Sequence, residues 1–438
     1  MKTLLSIVFA FLSVISLSQE NGIQSGPMLG YNDMREIMIW VQTTDPANVS
    51  ISYWSIDNPK SNGESNRVKT ERSNACVAHL ICSSLDPGTS YAYSINLNGT
   101  LLPSNENYKF ETQPLWQWRT EAPDFKVVAA SCAYINEEAY DRPGEPYGGD
   151  YQIFESISDK DPDMMVWLGD NIYLREADWG TRNGILHRYT HTRSCPEMQR
   201  LLSKCHHYAI LDDHDFGPND ASSAFINKNL TQEAFELFWA NPSYGLSENG
   251  GTTSQFRYMD VDFFLLDNRS FRTESGIKGM KETILGKEQK KWLIQALDAS
   301  TSFYKVVAIG GQFLNDVPVY ENYAVYQNER NELIQLIDDN KIKGVIFLSG
   351  DRHHTELSAM KMKNGNTIYD LTSSPLTSTA YDHSKEENSH RVEGTHVGHR
   401  NFSTLSFSGP TDNRDVLIEV FDSNGKLVWD KKLGKEDF

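Results

Sequence analysis

The sequence predicts a chain of two parts, an N-terminal antiparallel β-sandwich followed by a larger layered α/β domain, and three observations carry that prediction. Its 438 residues are more than one ordinary core organises comfortably. Between residues 24 and 115, short alternating runs are separated by turn-forming stretches, the pattern of antiparallel sheets. From residue 124 to 438, near-continuous apolar runs alternate with helical stretches, the pattern of strands buried on both faces. With 39% hydrophobic and 11% aromatic residues the composition is globular. The formal net charge of -18 argues against nucleic acid and anionic membrane as partners, since both require a basic surface.

The chain begins "MKTLLSIVFAFLSVISLSQENG". Lys2 is a minimal positive region, Leu4 to Leu17 an apolar stretch, and Ser16-Leu17-Ser18 a small-x-small site. Residues 1–18 therefore read as a signal peptide, the apolar stretch falling short of the roughly 20 residues that span a bilayer. Nothing further along is apolar enough to cross a membrane, so the mature protein is expected to be secreted or periplasmic. Of five cysteines, Cys76 and Cys82 read as lying on one strand, about 20 Å apart. Cys195 and Cys205 flank a helix that separates them by about 15 Å, so no disulfide is evident.

In the first part, "EIMIWVQTT", "NVSISYWSI", "ACVAHLICSSLDPGTSYAYSINLNG" and "ENYKFETQP" are strands with intervening turns, and "SSLDPGTSYAYSI" resembles the E to F corner of a fibronectin-III-like sandwich. Nothing in it is catalytic in type. In the second part the strands are "FKVVAASC", "DMMVWLGD", "HHYAILDDHD", "VDFFLLDNR", "FYKVVAIGG" and "GVIFLSGDRHH". Helices are expected near "DYQIFESISD", "CPEMQRLLSK", "NLTQEAFELFWAN", "GKEQKKWLIQALDAS" and "ERNELIQLIDDN", and a final hairpin turns at Asn424-Gly425.

Four of these strands end alike. They terminate at Cys132; at Asp170, with Tyr173 three residues on; at Asp212, Asp213 and His214; and at Asp351 and His353. The carboxyl ends of such strands line the ligand crevice of α/β folds, so these groups should converge. A single Asp after a strand is as often a helix cap. Helix capping does not, however, account for Cys, Tyr and His at the same edge. Thiolate, phenolate and imidazole suit a ferric or other transition ion, carboxylates suit calcium, magnesium or manganese, and one carboxylate can bridge both. The residues thus read as a two-metal hydrolytic site.

Here the motifs carry a resemblance. "GDNIY" is similar to the GDxxY of purple acid phosphatases and the wider metallophosphoesterases, "DDHD" stands where that superfamily has GNHD or GNHE, and "GDRHH" where it has GHxH. "SCAY" replaces the first superfamily motif, DxH. Together with "LDDHDFGPNDAS", "LLDNRSFR" and "LSGDRHHTEL", behind an N-terminal β-domain, the set resembles the alkaline phosphatase D (PhoD) family. The resemblance implies a metallophosphoesterase-type layered fold. It implies Cys132, Tyr173 and His353 as ligands of ferric iron (Fe3+), with Asp170 bridging to calcium (Ca2+) or another divalent metal. Asp213, Asp351 and Asp212 would serve the second metal, and Asn171, Asn219 and Asp220 are candidates for a further calcium. His214 falls where the superfamily keeps a histidine that protonates the leaving oxygen. Asp170 and His214 are thus the catalytic candidates, while His354 takes a supporting place behind His353.

The implied function is a secreted, metal-dependent phosphate ester hydrolase in which hydroxide attacks the phosphorus of a small phosphate ester or phosphodiester. A phosphodiesterase or phospholipase D-like activity of the same family is the nearest alternative; a non-enzymatic secreted protein binding calcium and glycan is the second. Arg352 and Arg175 either stabilise phosphoryl charge or are solvated surface arginines. Arg269 and Arg272 are expected to be structural, pairing with Asp267, rather than to touch phosphate.

Overall fold

A computed structural model describes residues 22–246 and 250–438. The expected signal peptide lies outside the described residues. Among the described residues, three sheets make up the fold. The first has nine strands, in the order Leu427–Leu433, Asp415–Asp422, Asn401–Ser408, Phe125–Ala130, Met164–Leu168, His206–Ile210, Ile23–Asn32, Glu36–Thr43 and Val77–Ser83. The second has six, in the order Ser254–Tyr258, Val261–Leu265, Lys305–Ala308, Val345–Ser349, Thr367–Thr372 and Glu356–Lys361. The third is antiparallel and N-terminal, built around Asn48–Ser55 and Ser90–Leu97.

Alternation along the strands explains the layering. Val127, Ala129, Val166 and Leu168 face the second sheet, meeting Phe263, Leu265, Ile346 and Leu348. Their neighbours Val128, Ala130, Met165 and Trp167 face the other way, onto the helices Ile153–Ser158, Arg182–Arg193, Met198–Lys204 and Lys228–Phe238. The outer face of the second sheet is covered by Gly286–Ala299 and Gln327–Asp339. The result is the expected layered sandwich, helices outside two facing sheets. The near-continuous apolar runs reflect strands with no wet face.

The N-terminal sandwich is also present, its core formed by Ile37, Ile39 and Val41 against Val49, Ile51 and Tyr91. It is not detached. Ile23–Asn32 pairs in parallel with His206–Ile210 through Leu29 and His206, so one sheet of the sandwich continues the large sheet. The strand comes so close to residue 240 that a Cβ at Gly30 would sit 2.3 Å from that of Ala240.

The five expected helices form, as does the hairpin at Asn424-Gly425. The helix Arg182–Arg193 was not anticipated, because its buried face mixes Arg188, Thr192 and Arg193 with Ile185, Leu186 and Tyr189, which interrupts the apolar stripe. Arg188 is paired with Asp178 and Glu137, and the Arg193 guanidinium lies 3.9 Å above the Trp239 ring. All five cysteines are free and buried, in keeping with the absence of a disulfide signature.

Candidate metal centre

The strands Phe125–Ala130, Met164–Leu168 and His206–Ile210 are parallel neighbours, and Val345–Ser349 faces them from the second sheet. Their carboxyl ends therefore meet at one edge. Past three of these ends, those of Phe125–Ala130, Met164–Leu168 and Val345–Ser349, the backbone turns sharply. Cys132, Asp170, Asp351 and His353 adopt φ values of 62°, 51°, 65° and 54°, a left-handed region that side chains other than Gly, Asn and Asp seldom occupy. Such conformations persist where surrounding bonds over-determine them, and they cluster at functional sites. Here the amide of Ala133 donates to the Asp170 carbonyl at 2.8 Å and that of Tyr381 to the His353 carbonyl at 2.9 Å. Gly169, at φ 90°, lets the chain pass Asp212 where a Cβ would lie 2.5 Å from the Asp212 Cβ.

One carboxylate joins two sides of the site. Asp170 Oδ2 accepts from the Tyr173 hydroxyl at 3.2 Å and from the Cys132 thiol at 3.5 Å, while its Oδ1 accepts from the His214 amide at 3.3 Å. The Tyr173 oxygen is also 3.2 Å from His353 Nε2. The Thr379 carbonyl accepts from His353 Nδ1 at 2.5 Å, which leaves the Nε2 lone pair directed into the site. Ser374 donates to Cys132 Sγ at 3.1 Å.

Ligand-type atoms lie within 4.8 Å of one another in four sets: Cys132, Asp170 and His353; Asp170, Asp213 and His214; Asp212, Asp213 and Asp351; and Asp213, Asp220 and Glu321. Asp170 is shared by two sets and Asp213 by three. Among the described residues, Asp212 Oδ2 and Asp213 Oδ1 are buried with no hydrogen-bond partner. Burial, then Asp213 and Cys132, pushes the Asp170 carboxyl far up, and burial with Asp212 and Asp213 does the same to Asp351. Burial likewise raises Cys132 and Tyr173. Cations reverse that logic by turning repulsion into attraction. The orphaned oxygens and the division of donors, soft and phenolic on one side and carboxylate on the other, fit two metal ions.

Asp212 is fixed from behind. Its Oδ1 accepts from Asn268 at 2.8 Å and from the fully buried Arg269 guanidinium at 2.5 Å, and Arg269 also pairs with Glu321 at 2.7 Å. Arg269 and Arg272 are thus structural as expected, but their partners are Asp212 and Glu321; Asp267 instead accepts the Arg269 backbone amide at 3.0 Å. Neither Arg352 nor Arg175 is a solvated surface arginine. Arg352 is buried on the cleft wall and paired with Glu386 at 2.7 Å, and Arg175 is buried against Asp141 at 2.7 Å.

The cleft over these groups has a volume of about 510 Å³. Asp170, Asp213, His214, Asp351, Arg352 and His353 line it, with Asn219 and Asp220 at its exposed rim. Asn171 is not among the lining residues; its amide turns back to donate to the Ile210 carbonyl at 2.8 Å. The His214 ring lies 4.2 Å from that of Tyr173, centroid to centroid, and its Nε2 is 3.9 Å from Asp213. His354 is buried beside Glu356 at 3.5 Å, with its Nδ1 2.9 Å from the Arg352 carbonyl. Sequence reasoning missed Glu321, Tyr147, Tyr320 and Tyr381, which belong to connecting loops with no strand-end pattern to mark them.

Residues 126–414 match the family described as PhoD-like phosphatase. The chain belongs to that family. Residues 20–115 of this PhoD-like chain match a second family, described only as a domain of unknown function. Alkaline phosphatase D of Bacillus subtilis (strain 168) is 22% identical over 339 residues, covering 66% of the PhoD-like chain and 55% of that relative's length. In fold, the PhoD-like chain superposes on a structure of PhoD with a TM-score of 0.74 at 16% identity, covering 93% of this chain and 91% of that one. It superposes on purple acid phosphatase PPD1 from yellow lupin (Lupinus luteus) seeds with a TM-score of 0.68 at 13% identity, covering 93% and 74%.

Proposed function

We propose that the protein is an exported phosphate ester hydrolase working with two metal ions, ferric iron beside Cys132, Tyr173 and His353 and calcium or another divalent ion beside Asp213, Asp351 and Asp212. The observation that carries this reading is Asp170, whose two carboxylate oxygens face different sides of one ligand cluster. Family membership and the similarity to alkaline phosphatase D support the phosphoryl chemistry. Export rests on the leader at residues 1–18. Among the described residues, no helix is long and apolar enough to cross a membrane.

In this reading bound cations supply Lewis acidity and a hydroxide nucleophile near neutral pH. The chain's own residues do the rest. The phosphoryl group sits over Asp170, beside Arg352 on the wall, whose charge is shared with Glu386. His214, held against Tyr173, donates a proton to the departing ester oxygen. Cys132 and Tyr173 are buried, so bulk water does not compete for their positions. Asn219 and Asp220, at the rim, are left for a further calcium or for substrate.

The test is to load the purified protein with ferric iron and calcium. Thiolate or tyrosinate on ferric iron gives a visible charge-transfer band, which Tyr173→Phe should shift or weaken, and chelation should remove both the band and the turnover of nitrophenyl phosphate. A colourless protein with chelator-resistant hydrolysis would refute the metal assignment. Relative rates on mono- and bis-nitrophenyl phosphate separate the monoesterase from the diesterase reading.

A further inference from the structure

Beside the cleft lies a second groove of about 490 Å³, in the range of cavities that hold small organic ligands. The two are continuous: His214, Tyr147, Tyr381 and Asn219 line both. We propose that this groove receives the alcohol part of the phosphate ester, and that this alcohol carries an aromatic or comparably flat apolar group; the proposal rests on the hydrolase reading above.

Direction comes from His214. In hydrolysis the ester P–O bond breaks as water provides the new P–O bond, and the departing oxygen takes the proton delivered by His214. An alcohol leaving past His214 enters the groove, because that ring forms the shared wall.

The chemistry of the lining sets the class of alcohol. An aromatic wall runs from the metal centre into the groove, Tyr134 standing 4.9 Å from Tyr173 and 4.8 Å from Tyr147, centroid to centroid. Trp179, Leu174 and Pro146 continue the lining. Rings edge-on or tilted to one another present both faces and edges to a flat guest. The charged groups in the groove do not favour a second phosphate. The Arg175 guanidinium is committed to Asp141 at 2.7 Å and to the Ile135 carbonyl at 3.1 Å, and lies 4.1 Å above the Tyr134 ring. Arg142, with 89% of its side chain exposed, reaches only Glu176, at 3.9 Å. Asp141, Glu145 and Glu176 outnumber these two arginines, so a second anion is repelled while a neutral ring is not. Pro146 is exposed and can be replaced without disturbing a core.

The test uses the metal-loaded full chain, two esters and one free alcohol. Trp179→Ala should cut kcat/KM for 2-naphthyl phosphate about tenfold and leave that for methyl phosphate within about twofold. Comparing variant with wild type on each ester cancels their different intrinsic reactivities. Calorimetric binding of 2-naphthol to the wild type should disappear in Pro146→Trp, which fills the groove from its exposed side and keeps the test alive should Trp179→Ala fail to fold. If both esters are hydrolysed, the variants change them alike and 2-naphthol does not bind, the groove assignment falls and the hydrolase reading stands. If 2-naphthol binds, is lost in Pro146→Trp, and neither ester is turned over, the hydrolase reading falls and the groove stands as an aromatic-binding site.

Discussion

Replacing Asp170 by Asn isolates the charge at the centre of the site. Asn matches Asp in size and tolerates the left-handed backbone that residue 170 adopts at φ 51°, so the chain trace should survive. What disappears is one negative charge shared by two ligand sets. Those ligand atoms lie within 4.8 Å of one another. At that separation and an effective dielectric of about 20, a unit charge facing a unit charge is worth about 3.5 kcal/mol. In rate that is about 300-fold, and it is a lower bound because each cation carries more than one charge. Asp170→Asn should therefore lose at least that factor on nitrophenyl phosphate, with metal content falling in elemental analysis of the dialysed protein. In chelator the variant should melt no lower than the wild type, since the substitution removes a carboxyl pressed against Asp213 and Cys132. Turnover within about tenfold of wild type, at full metal content, would refute the bridging role.

Three further outcomes follow from the geometry. His214→Ala should lower kcat by about 10² to 10⁴. The loss should be larger for alkyl than for nitrophenyl phosphates, because nitrophenolate departs with little help from an acid. Arg269→Met leaves Asp212 and Glu321 buried without their cation, and should cost about 3 to 5 kcal/mol in urea unfolding. Glu356 gives a pH signature. Burial alone would raise its pKa, but His354, then Arg391 and Asn388, draw it down to about 2 from the usual 4.5. Its folded pKa lies below the unfolded one, so its stabilisation is full above about pH 4.5 and is lost as pH falls through about 2, amounting to about 3 kcal/mol. Glu356→Gln should thus lower Tm at pH 7 and converge with the wild type near pH 2; a constant difference across that range would refute the linkage.

The site was legible because parallel strands advertise their ends. A run such as Met164–Leu168 is apolar at every position, so the first carboxylate after it, Asp170, stands out against the strand. The layered fold was legible for the same reason. Strands that mix Ser and Thr with apolar residues were not: Asn401–Ser408 lies between two partners with Asn401, Ser403 and Thr404 fully buried, and its polar groups find partners such as Ser373 that no local pattern predicts. Ile23–Asn32 hides behind Gly26, Pro27 and Gly30. Glu321 escaped because its meaning depends on Arg269, 52 residues away in sequence, meeting it in space.

The parallel contact of Ile23–Asn32 with His206–Ile210 bears on how the chain can be divided. Two families meet near residue 120, yet the hydrogen-bond ladder does not stop there. Asn32 donates its amide to the Tyr208 hydroxyl at 3.0 Å, and Gly30 takes a bond from His206 at 2.8 Å. Cutting the chain at residue 115 would strip a neighbour from His206–Ile210, the strand that leads into Asp212 and Asp213, and leave it as a raw edge open to other chains. The N-terminal region is in this sense a splint: it holds flush the strand that carries Asp212 and Asp213, two of the candidate ligands.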